Sequence, residues 1–386
     1  MLPLQGLTVV ALEHAIAAPF ATRQLADLGA RVIKIERPGA GDFARGYDTR
    51  ARGLSSHFVW VNRSKQSLTL DLKHPQAAQV LDSLVARADV VVQNLAPGAA
   101  ERLGLGWAAL SAKRPSLILC DISGYGNDGP DRDRKAYDLL IQSEAGFVSI
   151  TGTPDEPCKA GIAIADIAAG MYAYTNVLAA LIERGRTGLG KHIDVSMLES
   201  LAEWMGHPLY YTLDDAVPPA RSGAAHATIY PYGPFATGDG GSVMLGLQNE
   251  REWLSFCRFV LQRPALAEEP RFAGAAARSA ARGELRGIIE DVLRTLSSEQ
   301  VLARLDEGQI ANARVNTMAG LWAHPQLRAR GRWREVGTSA GPLPALLPPG
   351  RDEARMDPVP ALGEHTDPIL AELGFDAAAL RAAGAV

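Results

Sequence analysis

The sequence is poor in the residues that would define a disulfide-rich or a membrane-embedded protein. Its 386 residues include only three cysteines, which are unevenly spaced and form no paired motif. Few and scattered cysteines favour a reducing compartment over a disulfide framework. We find no apolar run long enough to cross a bilayer, and Glu13 interrupts the first apolar stretch before the core of a signal peptide is complete. We therefore expect a cytoplasmic protein without a membrane partner.

A large excess of positive charge is also missing. The formal net charge is −4, which argues against a nucleic-acid partner but leaves room for local cationic sites. Hydrophobic residues make up 47% of the chain and charged residues 21%, a balance typical of a folded globular protein. A chain of this length is expected to form two domains. We expect no metal site.

Glycine is absent from one turn where a dinucleotide-binding protein needs it. Residues 7–12 are predicted to form a buried strand, residues 19–28 a helix and residues 31–36 a second strand. In a dinucleotide-binding unit of this kind, glycines in the first turn let the backbone approach a pyrophosphate. Here the turn reads Glu-His-Ala-Ile-Ala-Ala-Pro over residues 13–19. The nicotinamide dehydrogenase hypothesis is therefore rejected.

The rest of the N-terminal half predicts an α/β fold. Further strands are predicted over residues 67–72, 89–93 and 117–122, and helices over residues 75–88 and 137–146. This alternation predicts a doubly wound, Rossmann-like parallel sheet. Ligands of such sheets bind beyond the carboxyl ends of the strands. The turn at His14, the pair Asn94-Leu95 and residues 123–126 all fall at such ends.

A second, smaller domain of α+β type is predicted after a linker. We assign residues 1–200 to the large domain, 201–226 to the linker and 227–317 to the small domain. The small domain is predicted to contain a hairpin on an Asp-Gly turn within residues 229–247. Helices over residues 250–261, 281–294 and 298–306 and a strand over residues 313–317 are predicted to complete it.

One carboxylate stands alone in an apolar stretch at the start of a long helix. Asp166 is the only acid within residues 159–174, and apolar residues recur at helical spacing through residue 183. By spacing alone, Asp166 is a helix cap that accepts hydrogen bonds at the positive end of the helix dipole. The motifs around it favour a second interpretation.

Several motifs resemble those of a known enzyme family. Lys159-Ala-Gly leads into Asp166, Tyr137-Asp138 precedes it, and Ser-Gly-Tyr-Gly-Asn-Asp-Gly-Pro occupies residues 123–130. These motifs, with Ile-Lys-Ile-Glu-Arg-Pro-Gly-Ala-Gly-Asp at 33–42 and Leu-Gly-Glu-His-Thr-Asp at 362–367, resemble the class III CoA-transferases almost end to end. The resemblance implies that Asp166 is a covalent nucleophile and that CoA and acyl-CoA are substrates rather than permanently bound cofactors. It also implies an interlocked homodimer, and a return segment, residues 318–386, that completes the large domain.

The resemblance also assigns the residues that contact CoA and its thioester. A diphosphate and a 3′-phosphate need cations or free N–H groups, and adenine needs a flat apolar contact. The matching positions are His14, Ala15, Arg37, Lys73, Asn94, Leu95, Arg102, Leu103, Lys135 and Tyr137. Taken singly, each cation would be interpreted as a solvated surface charge, and His14 equally well as a buried core histidine.

An arginine-rich loop supplies candidate contacts for the acceptor acid. Charge-assisted hydrogen bonds to a distal carboxylate are available from Arg45, Arg50, Arg52 and His226. The alternatives are solvated loop charges and, for the arginines, contacts with CoA phosphates. Ile16 departs from formyl-CoA transferase, which has glutamine there. This difference argues against formyl and oxalyl transfer. Overall the chain resembles the family members that use succinyl-CoA as donor, which implies a C4–C5 dicarboxylate, such as itaconate, mesaconate, citramalate or glutarate, as acceptor.

Two other functions remain open on the same resemblance. α-Methylacyl-CoA racemases share the expected fold and use an Asp/His pair to move an α-proton. They carry histidine where this chain has Tyr137, and tyrosine is a poor base at neutral pH. The other alternative is a protein that only binds acyl-CoA. The combination of Asp166, Tyr137 and the cationic positions favours a CoA-transferase over both.

Overall fold

Strands and helices alternate through the first half of the chain, as the sequence pattern predicts. The computed structural model describes residues 1–386. The strands are β1 (Thr8–Leu12), β2 (Arg31–Glu36), β3 (Lys65–Thr69), β4 (Val90–Gln93), β5 (Ile118–Ser123), β6 (His192–Ser196), β7 (Tyr232–Ala236), β8 (Ser242–Gly246), β9 (Ala311–Arg314), β10 (Trp333–Val336) and β11 (Leu343–Leu346). The α-helices are α1 (Ala17–Asp27), α2 (Ser56–Asn62), α3 (Ala77–Arg87), α4 (Ala99–Arg102), α5 (Trp107–Lys113), α6 (Asp138–Glu144), α7 (Phe147–Ile150), α8 (Ile164–Thr187), α9 (Met197–Trp204), α10 (Gly206–Tyr211), α11 (Glu250–Ser255), α12 (Ala275–Ala280), α13 (Arg282–Leu293), α14 (Ser298–Glu307), α15 (Met318–Trp322), α16 (Pro325–Ala329), α17 (Thr366–Leu373) and α18 (Ala377–Ala382).

The chain divides into two units. The first comprises Met1–Gly146, Ala160–Gly206 and Gln326–Val386, and the second comprises Phe147–Lys159 and His207–Pro325. The sequence prediction places residues 147–159 in the large domain and residues 201–226 in a linker. In the structure, residues 147–159 and residues 207–226 both belong to the second unit. Arg221 donates hydrogen bonds to the carbonyl oxygens of Thr153 and Pro154. These bonds join the two segments within the second unit.

The first unit is built on a six-stranded sheet in the order β3-β2-β1-β4-β5-β6, in which every neighbouring pair of strands is parallel. The predicted parallel sheet is therefore confirmed. Its inner strands are apolar runs such as Val9-Val10 and Val91-Val92, which are buried as expected for parallel strands covered on both faces. The edge strand β6 was not predicted, because His192 and Asp194 keep partial exposure and interrupt its apolar pattern.

The C-terminal segment returns to the first unit. Gly363 N–H donates to Ser67 Oγ at 2.9 Å, and Thr69 N–H donates to Thr366 Oγ1 at 3.0 Å. Ile369 and Leu370 of α17 join the buried core beside β3 and α3. The first unit is therefore discontinuous in sequence.

The second unit contains a three-stranded antiparallel sheet in the order β7-β8-β9. The predicted hairpin is confirmed, and Asp239 stabilises its turn by accepting hydrogen bonds from Thr237 Oγ1 at 2.6 Å and Gly241 N–H at 3.2 Å. Trp253, Phe235 and other buried residues form a core that is separate from that of the first unit. The helix predicted over residues 250–261 changes to a π-helix at Phe256–Val260.

Helix α8 is 24 residues long and is apolar for most of its length. By length and composition it satisfies the criterion for a membrane span, which corrects the sequence statement that no apolar run is long enough. The core helix of a soluble protein satisfies the same criterion. Ala165, Ala168, Ala169 and Ala173 of α8 are completely buried in the first unit, which accounts for its apolar character by packing.

Helices α1 and α8 approach closely at Gly170. A Cβ atom at this position would lie 2.7 Å from the carbonyl oxygen of Ala17 and 3.0 Å from the Phe20 ring. Only glycine therefore fits without moving the N-terminus of α1. Gly185, in the same helix, has no atom within 4 Å of the corresponding position.

We expect Gly170→Ala to destabilise the protein by roughly 1–3 kcal/mol, because overpacking displaces backbone as well as side chains. Gly185→Ala is the matched control and should stabilise the protein slightly, since alanine is favoured over glycine in a helix by about 1 kcal/mol. Thermal denaturation of the two variants measures the difference. Equal melting temperatures for both variants would contradict the close approach at Gly170.

Candidate active site

The carboxyl ends of β1 and β4 meet at the point where the strand order reverses. The Asn94 side chain accepts a hydrogen bond from His14 N–H at 2.9 Å and donates one to His14 O at 3.0 Å. This reciprocal pair fixes the turn after β1 to the loop after β4. In doubly wound sheets, ligands bind at this reversal. The structure therefore brings the predicted site residues His14, Ala15 and Asn94 together there.

Asp166 lies in the first turn of α8, but it does not cap that helix. The carboxylate of Asp138, at the start of α6, accepts hydrogen bonds from the N–H groups of Ala165 at 2.8 Å and Asp166 at 3.2 Å. Gln142 holds Asp138 through a bond of 2.6 Å to its other oxygen. Because Asp138 satisfies these N–H groups, the Asp166 carboxylate is free for other contacts. The interpretation of Asp166 as the cap of its own helix is wrong.

The Asp166 carboxylate instead reaches the N-terminus of α1. Ile16 supplies no side-chain cap to α1, and the N–H of Ala17 forms a hydrogen bond with the Asp166 carboxylate. Burial raises the pKa of Asp166, the neighbouring Asp138 carboxylate raises it further, and the Ala17 bond lowers it, with a resulting pKa of about 7. The carboxylate is therefore not fully ionised at neutral pH, because burial, followed by the charge of Asp138, outweighs the Ala17 bond.

Aromatic rings line the approach to Asp166. The His14 ring stacks on Phe43 with 5.3 Å between centroids, and Phe43 contacts Tyr47 at 5.7 Å. Burial raises the pKa of the Tyr47 hydroxyl, with contributions from the charges of Asp42, Asp166 and Tyr137, which places Tyr47 near the carboxylate. The sequence analysis missed Phe43 and Tyr47. The signal in the sequence was two aromatic residues, Phe43 and Tyr47, within five residues after Gly41-Asp42.

His14 is held in its neutral form. Burial lowers the pKa of its imidazole, and the charge of Asp42 only partly opposes this effect. Its Nδ1 atom lies 4.0 Å from Asp42 Oδ1 and has no hydrogen-bond partner. The side chain as a whole is 26% exposed, and with its buried Nδ1 atom unsatisfied, His14 is not a satisfied core histidine.

The remaining predicted CoA contacts follow the carboxyl ends of the strands. Arg37 follows β2, Lys73 follows β3, Leu95 follows β4, and Arg102 and Leu103 end α4. Lys135 and Tyr137 precede α6, and Tyr137 is 69% exposed. Arg37, Lys73, Arg102 and Lys135 are all exposed. They are therefore accessible to an anionic ligand.

Two of the predicted acceptor contacts are engaged within the protein. Arg45 donates to both oxygens of Glu36 at 2.8 Å, and its guanidinium lies 3.7 Å from the centre of the Phe58 ring. His226, in the second unit, accepts hydrogen bonds through Nδ1 from the N–H groups of Thr228 and Ile229. The sequence analysis names Arg45 as a candidate to bind the acceptor carboxylate. In the structure its guanidinium is bound to Glu36 and stabilises the loop instead.

Arg50 and Arg52 differ from Arg45 in their surroundings. Both are exposed, and Arg52 donates one hydrogen bond, of 2.9 Å, to Pro342 O. Asp48 accepts a hydrogen bond from Arg50 N–H at 2.8 Å, so the backbone at Arg50 is fixed while its guanidinium stays exposed. Arg50 is therefore the arginine of this loop that is most accessible to a carboxylate.

The chain is similar to known proteins over almost its whole length. Residues 4–366 match the model of CoA-transferase family III. The succinate–glutarate CoA-transferase of Agrobacterium fabrum is 35% identical over 96% of each chain, and the succinyl-CoA:mesaconate CoA-transferase of Haloarcula marismortui is 33% identical over 97% of each. The crystal structure of a CAIB/BAIF family protein from Brucella suis is 35% identical and has a TM-score of 0.85, covering 96% of this chain and 99% of that one.

We expect Asp138→Asn to lower the pKa of Asp166 from about 7 toward the ordinary aspartate range. The substitution removes a like charge beside Asp166 but keeps an oxygen that accepts from Ala165 N–H. Carbon NMR titration of aspartate-labelled protein measures the pKa, and the spectrum of Asp166→Asn identifies the resonance. Asp155→Asn, at an exposed loop position, is the control for loss of one charge. An unchanged pKa in Asp138→Asn would rule out the proposed coupling between the two carboxylates.

Proposed function

This chain belongs to CoA-transferase family III, and we propose that it moves CoA from succinyl-CoA to a C4–C5 dicarboxylic acid through a covalent intermediate on Asp166. The observation that carries the proposal is the environment of Asp166. Its carboxylate has a pKa of about 7, does not cap its own helix and meets the Ala17 N–H. A carboxylate that is partly shielded from water and raised in pKa is a better nucleophile than a solvated one.

The proposed mechanism exchanges CoA in two covalent stages. An Asp166 oxygen attacks the donor thioester carbonyl, and the C–S bond breaks to give a mixed anhydride and CoA thiolate. The thiolate attacks the aspartyl carbonyl, which releases the donor acid and leaves an aspartyl-CoA thioester. The acceptor carboxylate then forms a second anhydride and again releases thiolate, and the thiolate attacks the acceptor carbonyl. This last step yields the new acyl-CoA and restores the Asp166 carboxylate.

Protein groups around Asp166 support these stages. The Ala17 N–H is placed to hold the oxyanion that develops on the aspartyl carbonyl, where a fixed donor in a site shielded from water is effective. Neutral His14 and the exposed Tyr137 border the thioester in this proposal. The exposed cations Arg37, Lys73, Arg102 and Lys135 would pair with CoA phosphates, while Leu95 and Leu103 would contact the nucleotide.

Dicarboxylate acceptors are supported by the relatives and by the arginine-rich loop. The names of the two relatives specify glutarate and mesaconate as their acids. In this chain, Arg50 and Arg52 are exposed and could each pair with a distal carboxylate. Itaconate and citramalate belong to the same size class. The racemase alternative is not favoured, because Tyr137 replaces the histidine base and the relatives are CoA-transferases.

We expect Arg50→Ala to reduce kcat/KM for glutarate by about ten- to a hundredfold, the equivalent of one charge-assisted hydrogen bond. The value for pentanoate, which lacks the distal carboxylate, should not change. Succinyl-CoA is the donor, the assay measures formation of the new acyl-CoA, and Asp166→Asn gives the uncatalysed blank. Arg52→Ala and His226→Ala test the other candidates.

Arg251→Ala is the matched control for these arginine variants, since Arg251 is exposed on α11. A loss that is equal for glutarate and pentanoate would assign the arginine to CoA phosphates. No loss in any variant would remove the proposed basis for dicarboxylate selection.

We propose further that the protein acts as a cytoplasmic homodimer. The segment that follows β6 exposes large apolar side chains, with Trp204 at 45%, Tyr210 at 80% and Val217 at 84% exposure. Exposed aromatic and aliphatic side chains in this segment are accounted for if a second copy of the chain covers them. Size-exclusion chromatography with light scattering should give twice the 41.1 kDa of one chain. A folded monomer at micromolar concentration would contradict the dimer.

A further inference from the structure

Four charged side chains are buried directly behind the turn between β1 and α1. Glu13, Lys34 and Asp42 have no exposed surface, and Lys65 is 2% exposed. Lys34 Nζ lies 2.8 Å from Asp42 Oδ2 and 3.3 Å from Glu13 Oε1, and Lys65 Nζ lies 2.6 Å from Glu13 Oε1. Glu36, which is 1% exposed and binds Arg45, lies beside this cluster, and burial lowers the pKa of Lys65 to about 7. Burial opposes the charged form of Lys34, but the carboxylates of Glu13 and Asp42 raise its pKa above the ordinary value.

Besides each other, these side chains contact the backbone at both ends of the turn. Lys34 donates to the carbonyl oxygen of Glu13 at 3.2 Å, where the turn begins. Lys65 donates to the carbonyl oxygen of Pro19 at 3.0 Å, in the first turn of α1. A buried charge network adds little net stability compared with apolar packing. Its hydrogen bonds to the backbone indicate instead that the network fixes the conformation of the turn.

Asp42 contacts the middle of the turn. Its Oδ1 atom accepts a hydrogen bond from Ala15 N–H at 3.2 Å and a shorter one, of 2.9 Å, from Ala44 N–H, by which it also caps the 3₁₀ turn Phe43–Gly46. Ala15 has a φ of 60°, in the left-handed region, which costs a residue other than glycine of order 1–2 kcal/mol. Two residues later, the N–H of Ala17 meets the Asp166 carboxylate. The conformation at Ala15 thus determines where the Ala17 donor lies.

We propose that Asp42 is a positioning residue for the reaction at Asp166: it holds the turn in the conformation that presents the Ala17 N–H to the Asp166 carboxylate. Asp42 touches neither the thioester nor the reacting atoms. It acts through Ala15, with Lys34 fixing the position of its carboxylate. The kinetic part of the proposal rests on the proposed function, whereas the structural part concerns only the hydrogen bond between Ala17 and Asp166.

The test compares variants that remove the contact with a variant that preserves part of it. Asp42→Ala with Lys34→Met removes the acceptor and a balancing positive charge together, so that no lysine is left unpaired at this contact. We expect the pKa of Asp166 to rise above about 7, because the Ala17 hydrogen bond that lowers it is weakened. We expect kcat with succinyl-CoA to fall by roughly a hundredfold, the cost of misplacing a group by about 1 Å, while KM changes little.

Asp42→Asn, made in the same Lys34→Met background so that the charge is matched to the first variant, is the conservative variant and keeps an oxygen that can accept from Ala15 N–H. Its pKa shift and its loss of kcat should have the same directions and be smaller. The groups that face Asp166 from other elements, Asp138, Tyr47 and Tyr137, are unchanged in all variants. NMR titration gives the pKa, and the pH at which kcat/KM falls on the acid side should move upward with it.

Asp27→Asn is the matched control for the loss of a buried carboxylate. Asp27 is 1% exposed at the other end of α1 and binds Arg23 and Arg63. This variant should lower the melting temperature but leave the pKa of Asp166 and kcat unchanged. A folded Asp42→Ala/Lys34→Met variant with the wild-type pKa and kcat would overturn the proposal. If that variant does not fold, a wild-type pKa and kcat in Asp42→Asn/Lys34→Met would overturn it.

The two proposals fail in different ways. A wild-type protein that transfers no CoA would contradict the proposed function but not the arrangement of the turn, which the NMR titration tests without any substrate. Wild-type transfer activity together with an unshifted Asp166 in the folded Asp42 variants would contradict only the positioning role.

Discussion

The site depends on the close approach of α1 and α8, where Gly170 packs against the Ala17 backbone and the Ala17 N–H lowers the pKa of the Asp166 carboxylate. Helix α1 begins without a side-chain cap of its own, and α8 supplies the carboxylate that meets it. Gly170, one turn after Asp166, allows the helices to approach so closely. The carboxylate is thus fixed in direction by a helix N-terminus. Burial and Asp138 nevertheless keep its pKa near 7, which leaves it reactive rather than strongly stabilised.

The carboxylates around the site differ in their contacts: some bind backbone N–H groups or lysines, and Asp166 makes few such contacts. Asp138 satisfies the first N–H groups of α8, and Glu13 and Asp42 neutralise the buried lysines behind the turn. Asp166 is left with one hydrogen bond from Ala17. A carboxylate that accepted several N–H bonds would have a low pKa and little tendency to attack a thioester. Because the other carboxylates make the structural hydrogen bonds and ion pairs, Asp166 remains available for the reaction.

The sequence predicted the large sheet well, because parallel strands buried on both faces are continuous apolar runs, as in β1, β4 and β5. The position of Asp166 alone predicted a helix cap, and only the resemblance of the surrounding motifs to the class III CoA-transferases singled it out as a nucleophile. The sequence could not show that Asp138, 28 residues earlier, provides the cap, because that contact depends on the packing of α6 against α8. Lys34 and Lys65 were missed for the same reason. A lysine within a strand is normally interpreted as facing solvent, and only the folded chain places Glu13 and Asp42 beside it.

The central claim is that Asp166 carries CoA covalently, and trapping that intermediate tests it most directly. Wild-type protein is incubated with succinyl-CoA without an acceptor, reduced with borohydride and digested, and the peptide that contains residue 166 is analysed by mass spectrometry. The account predicts reduction of the Asp166 side chain to an alcohol, only when succinyl-CoA is present and with Asp138 unmodified in the same sample. An unmodified Asp166 in a preparation that transfers CoA at full rate, or modification of a different residue, would contradict it.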